Sequence, residues 1–191
     1  MTEKELVEGL VREDRNAIRN LVLLHQKKVI KTAFYFVGNM EDAEDLSQEV
    51  FMEVLKSIKK YRSTSTLSTW IYRITVNKSL DHIRKQKTRS FFHRLGSITG
   101  LTNISDEGVI TDHDHEIKEK RMILESSINS LPENQRIAFV LNKYEELPYK
   151  EIAEIMNLSL PSVESHIHRA KINLQKKLVS HFSEYAPKQK K

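Results

Sequence analysis

The chain has no cysteine, and only five glycines, four prolines and one tryptophan among its 191 residues. Without cysteine there is no disulfide framework, no thiol catalysis and no cysteine-type zinc site. That usage suits a reducing compartment. Scarce glycine and proline, with few stretches that alternate at period two, point to an all-α protein. No uninterrupted apolar run approaches the roughly 20 residues a membrane span needs. The opening Thr2-Glu3-Lys4-Glu5 is too charged for a secretory signal. There is no glycine-rich phosphate loop, nucleophile elbow or His-Glu-x-x-His motif. The expectation is a cytoplasmic helical protein that is not an enzyme, has no cofactor and no metal, and does not insert in a membrane.

What is present is charge, unevenly placed. The net charge is +5, with residues 1–87 at +4, residues 88–130 at −2 and residues 131–191 at +3. Two basic ends around an acidic middle suit two anion-binding modules as well as they suit a solvated surface. Helical periodicity places helices over about 3–13, 16–37, 40–61 and 69–88. Gly38 stops the second and Asn39 caps the third. Ala43, Leu46, Val50, Val54 and Ile58 form the third helix's buried stripe, and Ile71, Ile74, Leu80 and Ile83 that of the fourth.

From Ser90 to Asp114 the pattern breaks at Gly96, Gly100 and Gly108, marking a linker that still carries Phe91, Phe92, Leu95, Ile98 and Leu101. The domain reading is therefore 1–90, a linker at 91–115, a second domain at 116–185 and a basic tail at 186–191. In the second domain Ser130-Leu131-Pro132-Glu133 has the form of a capping box.

Residues 149–178, YKEIAEIMNLSLPSVESHIHRAKINLQKKL, carry the most specific pattern. A helix-turn-helix needs a short helix, a tight turn and a second helix crossing the first. Ile152, Ala153 and Ile155 face inward, Asn157 suits a left-handed turn residue, and Leu158 plugs the turn into the core. Ser159 caps the second helix, with Pro161 in its first turn. Val163, Ile167, Ala170 and Leu174 then form the buried stripe, which leaves Ser162, Ser165, His166, Arg169 and Lys171 for DNA. Lys171, Lys176 and Lys177 suit backbone phosphates. A solvated helical hairpin is the plainer alternative.

Residues 131–178 resemble the C-terminal domain of extracytoplasmic-function (ECF) sigma factors. DAEDLSQEVFMEVLKSIKKY (42–61) and STWIYRITVNKSLDHIRKQ (68–86) resemble the N-terminal domain of the same family, in the right order. The chain departs from the family's common pattern at Asn157, Pro161 and Ser162 and near Pro148, which leaves base preference open. The resemblance implies an alternative sigma factor, two small helical domains joined by a linker, with core RNA polymerase and promoter DNA as partners. It also implies an anti-sigma factor, and a monomer when bound to polymerase.

Residues 41–55 hold six acids and no Lys or Arg, whereas residues 70–94 hold seven bases and one acid, Asp81. By resemblance the acidic helix docks on the polymerase through Asp45, Gln48, Glu49 and Glu53. The basic helix lies on the opened −10 element. There the loop residues Arg62, Ser63, Thr64 and Ser65 offer a base pocket, and Asn77, Lys78, Arg84 and Lys85 meet bases and phosphates. Trp70 belongs to the core rather than to a stacking platform. The resemblance sends the linker toward the polymerase's active-site cleft.

Two other readings compete. A free-standing helix-turn-helix regulator shares the C-terminal motif but has no use for the acidic helix, and would dimerise on a two-fold operator. His113-Asp114-His115-Glu116 has the ligand types of a metal site, but a polar linker patch accounts for it better.

Overall fold

The computed structural model describes residues 1–96 and 112–181, apart from some side chains at the end of α4, the start of α5 and the end of α8. The side chains of Phe91, Phe92, Leu95 and His113–Glu116, the linker residues Ile98 and Leu101 and the tail 186–191 lie outside what it describes. The described residues form eight helices: α1 (Glu3–Val11), α2 (Arg15–Val37), α3 (Met40–Ser57), α4 (Leu67–Gly96), α5 (Asp112–Asn129), α6 (Glu133–Lys143), α7 (Tyr149–Met156) and α8 (Leu160–His181). A 3-10 turn, Ile58–Lys60, follows α3. They contain no strand. α4 runs eight residues beyond the Thr88 expected from the sequence, and α5 is helical from Asp112.

The early helix ends follow local chemistry. Thr2 and Glu5 form a reciprocal capping box on α1. Asp14 caps α2 by accepting from the Ala17 amide at 3.1 Å. Gly38 ends α2 at φ +83°, and Asn39 caps α3 by accepting from the Asp42 amide at 2.7 Å. Gly9 lets α1 and α2 meet closely, since a Cβ there would stand 2.6 Å from that of Ala17.

The capping box expected at Ser130 does not form. Pro132 takes the cap position of α6, and the Ser130 hydroxyl donates instead to the Ser127 carbonyl at 2.6 Å. Proline's fixed φ suits a cap position, so the chain enters α6 two residues later than the motif implies.

α2, α3 and α4 pack on one another with α1 against α2. Leu21, Val29, Val50, Val54, Leu67 and Ile71 lie in that core. In the second unit α6, α7 and α8 pack together and α5 lies on α8. Its core includes Ile137, Val140, Leu141, Ile152, Ile155, Val163, Ile167, Ala170 and Leu174. This second core does not stop at the unit's edge. It continues into Phe36, Tyr72, Val76 and Leu80 of the first unit, where α4 packs on α7. α4 is therefore sandwiched: Leu67, Ile71 and Ile74 face its own unit, while Tyr72, Val76, Leu80 and Ile83 face the other. Each large apolar side chain buried this way contributes roughly 1.5–3 kcal/mol.

Candidate functional site

The helix-turn-helix forms as its pattern predicts. α7 ends at Asn157, which is left-handed at φ 53° and ψ 47°, and the Leu158 amide donates back to the Ala153 carbonyl at 3.0 Å. Val163, Ile167, Ala170 and Leu174 are all buried. On the other side of α8, His168, Arg169 and Lys171 are exposed, and Ser162, Ser165 and His166 are half-buried. Arg169 and Lys171 have no protein partner among the described residues. Ser162 shares a 2.8 Å hydroxyl–hydroxyl bond with Ser159, so the cap position and the candidate reader are tied together. The Nδ1 of His166 is buried without a partner, which leaves only the far side of that ring to face outward. The outer side of α8 therefore carries exposed His168, Arg169 and Lys171, with the exposed carboxylate of Glu164 beside them.

Asp45, Gln48 and Glu49 are exposed on one face of α3, with Glu53 half-buried a turn further on. They line an open cavity of about 900 Å³ together with Leu10, Ile18, Met52 and Lys78. Met52 is 68% exposed, an apolar group amid carboxylates. This surface offers negative charge around an apolar centre, the makings of a docking site for a basic partner.

The loop 62–66 exposes Arg62, Ser63 and Thr64, with Ser65 half-buried; Ser63 is left-handed at φ 53°. Its base is fixed, because the Tyr61 hydroxyl donates to the Ser65 carbonyl at 2.6 Å and the Tyr61 ring lies 5.2 Å from that of Trp70. Trp70 is half-buried against the first core, in keeping with the core role expected of it.

Asn77, Arg84 and Lys85 are exposed on α4 and Lys78 is half-buried. Two of these cations are already engaged. Lys78 Nζ stands 3.9 Å from Glu49 and 3.6 Å from Glu53, so it faces the acids of α3. Arg84 donates to both carboxylate oxygens of Glu133, at 2.7 and 2.8 Å, and to Asp81 at 3.0 Å. The Glu133 hydrogen bonds are the main cause that raises the Arg84 pKa.

Sequence reasoning missed the groups that join the two units. Glu145, in the turn between α6 and α7, has a side chain only 4% exposed. It accepts from the Tyr72 hydroxyl at 3.1 Å and stands 3.6 Å from Lys31 Nζ. Burial raises its carboxyl pKa, against the attraction of Lys31. Burial likewise raises the Tyr72 phenol, helped by the nearby Glu145 charge. Tyr72 is thus committed to the junction. Lys31 also donates to the Tyr144 carbonyl at 2.7 Å, and the Tyr35 and Tyr144 rings stack with centroids 4.1 Å apart. Arg73 donates to the Ile155 carbonyl at 3.2 Å and to that of Glu154. An arginine of one unit so satisfies the last carbonyls of the other unit's α7. The available signal was Tyr72, Val76 and Leu80 at intervals of four, a second apolar stripe on a helix that already had one.

Residues 21–89 match the Sigma-70 region 2 family, and residues 121–174 match Sigma-70, region 4. Both are regions of sigma-70 factors. The chain is 30% identical over 182 residues to the ECF RNA polymerase sigma factor SigW of Bacillus subtilis, covering 93% of this chain and 97% of that protein. It is 30% identical over 183 residues to the ECF RNA polymerase sigma-E factor of Escherichia coli, covering 93% and 95%. The fold resembles that of CnrH, solved in complex with the cytosolic domain of CnrY, with a TM-score of 0.66 at 20% identity over 93% of this chain and 97% of that one. The chain belongs to the ECF sigma factors: non-enzymatic initiation factors that direct core RNA polymerase to promoters.

Proposed function

We propose that the chain divides its promoter work between residues 1–90 and 116–185, with 91–115 as the connector and 186–191 as a basic tail. The C-terminal unit reads the −35 element as duplex through Ser162, Ser165, His166 and Arg169, while Lys171 meets phosphate. The carrying observation is the exposed cationic face of α8 over a fully buried stripe. The N-terminal unit docks on the polymerase through Asp45, Gln48, Glu49 and Glu53. It holds the opened −10 strand with the 62–65 loop and with Asn77, Lys78, Arg84 and Lys85, and so helps open that region. Each contact is weak alone, and attachment to one polymerase makes the second effectively intramolecular.

The protein acts in the cytoplasm as a single copy on polymerase. None of its described helices is long and apolar enough to cross a membrane. An anti-sigma factor restrains it. The RpoE sigma factor of Bartonella quintana, similar in fold at a TM-score of 0.58, was solved with the anti-sigma factor NepR, and this supports that reading. The deciding experiment is transcription from a promoter library by core polymerase with and without the protein. New start sites sharing paired −35 and −10 motifs are expected. Unchanged start sites would refute the proposal.

A further inference from the structure

Arg84 is assigned above to the −10 strand, yet both terminal nitrogens of its guanidinium are already engaged by carboxylates. One nitrogen, Nη2, donates to both Glu133 carboxylate oxygens, at 2.7 and 2.8 Å. A phosphate oxygen would seek the same charged donor. The two residues lie 49 positions apart and belong to different units. Their side chains are 58% and 45% exposed, so the pair by itself contributes little and could not hold the units together. The surrounding contact can. Tyr72, Val76 and Leu80 of α4 are buried in the C-terminal unit's core, Tyr72 bonds the enclosed Glu145, and Arg73 caps α7. Docking therefore sets Glu133 against Arg84, rather than the pair causing the docking.

We propose that Glu133 occupies the phosphate seat of Arg84, so that the free protein masks part of its own −10 surface while leaving the −35 face of α8 open. Asp81, on the same helix, takes another nitrogen of the guanidinium at 3.0 Å, and neighbouring Lys85 has no partner among the described residues. A strand that approaches meets a carboxylate where its phosphate would sit. The units must part, or at least slide, before Arg84 can grip DNA. The proposal rests on the −10 assignment of Arg84 made above.

The test uses the full chain and a random-sequence single-stranded DNA 12-mer, because a phosphate contact needs no particular base. Glu133→Gln keeps the size of the side chain at the first turn of α6. It should raise affinity roughly three- to tenfold and steepen the salt dependence by about 0.7, the signature of one added phosphate contact on a single strand. In an Arg84→Ala background the same change should give no gain. A gain that persists there is a general charge effect and overturns the mask, as does Glu133→Gln without any gain. Promoter opening by polymerase carrying the Arg84→Ala protein separates the two layers. If opening is impaired but Glu133→Gln leaves the free chain unchanged, the mask falls and the −10 reading stands. If opening is intact, the −10 reading falls and takes the mask with it. Because the chain has no cysteine, Arg19→Cys and Lys150→Cys give one dye on each unit. Energy transfer between them should drop on promoter opening, and constant transfer would also overturn the mask.

Discussion

α4 and α8 are both basic helices assigned to nucleic acid, but they meet the rest of the protein differently. α8 buries one stripe and leaves Arg169 and Lys171 bare. α4 buries two stripes, one toward each unit, and its Lys78, Arg84 and Arg73 all have protein partners. A helix with one apolar face can keep a permanent reading surface. A helix with two has little free surface left, and its cations become partners in whatever packs beside it. The same positive charge is thus a ready contact on α8 and a conditional one on α4.

The largest effects should come from breaking the single stripe of α8. Ile167 is 1% exposed in the C-terminal core. Ile167→Ala should cost about 2–5 kcal/mol in urea unfolding. Val76 is also buried, but against the neighbouring unit. Val76→Ala should cost less and should loosen the junction, seen as faster amide exchange in α7. Equal losses from the two variants would mean that the α4 stripe is as integral to its unit as that of α8.

Next in size is the bare face itself. Arg169→Ala should weaken binding of the −35 duplex by about 1–3 kcal/mol if the guanidinium reads a base. Folding stability should be unchanged, since the side chain is exposed and has no hydrogen-bond or ion-pair partner among the described residues. Normal promoter use by this variant would remove Arg169 from the reading surface.

How much of this was legible in the sequence follows the same division. The α8 stripe, the Asn157 turn and the Gly38 stop are local patterns, each set by a few neighbouring residues, and the sequence displays them directly. The capping box at Ser130 was misread because a local motif competed with Pro132, whose ring fixes the cap conformation two residues later. The end of α4 was placed early because residues 84–90 are all polar and the glycine-interrupted stretch from Ser90 reads as a linker. Glu145 and Glu133 were passed over for a different reason. Nothing in a Glu-Glu-Leu-Pro turn or a first-turn glutamate says that a tyrosine 73 residues earlier, or an arginine 49 residues earlier, will meet it. Only the second stripe of α4 hinted that another unit packs there.

Glu145 gives the junction a pH dependence of known sign. Its carboxyl is raised above the ordinary 4.5 because burial outweighs Lys31. A raised acid favours its proton in the folded state. Its unfavourable contribution is therefore absent below the unfolded value and grows as pH rises through the folded one. The stability of wild type relative to Glu145→Gln should accordingly fall as pH rises above the ordinary carboxyl value. A rise across that range would mean that Lys31 and Tyr72 overcome the cost of burial.

The smallest effect is expected at Lys78, and its smallness matters. Its partners Glu49 and Glu53 stand at 3.9 and 3.6 Å, with side chains 58% and 37% exposed. A Lys78→Ala/Glu53→Gln double-mutant cycle on unfolding should give a coupling of roughly 0.2–1 kcal/mol. So weak a pair cannot hold Lys78 against competition for its acids. Those acids belong to the face proposed to dock on polymerase, so a basic surface arriving there would free Lys78 for a phosphate. A coupling well above 1 kcal/mol would make Lys78 a structural brace between α3 and α4, and α4 would keep only Lys85 as a ready cation among its four −10 candidates.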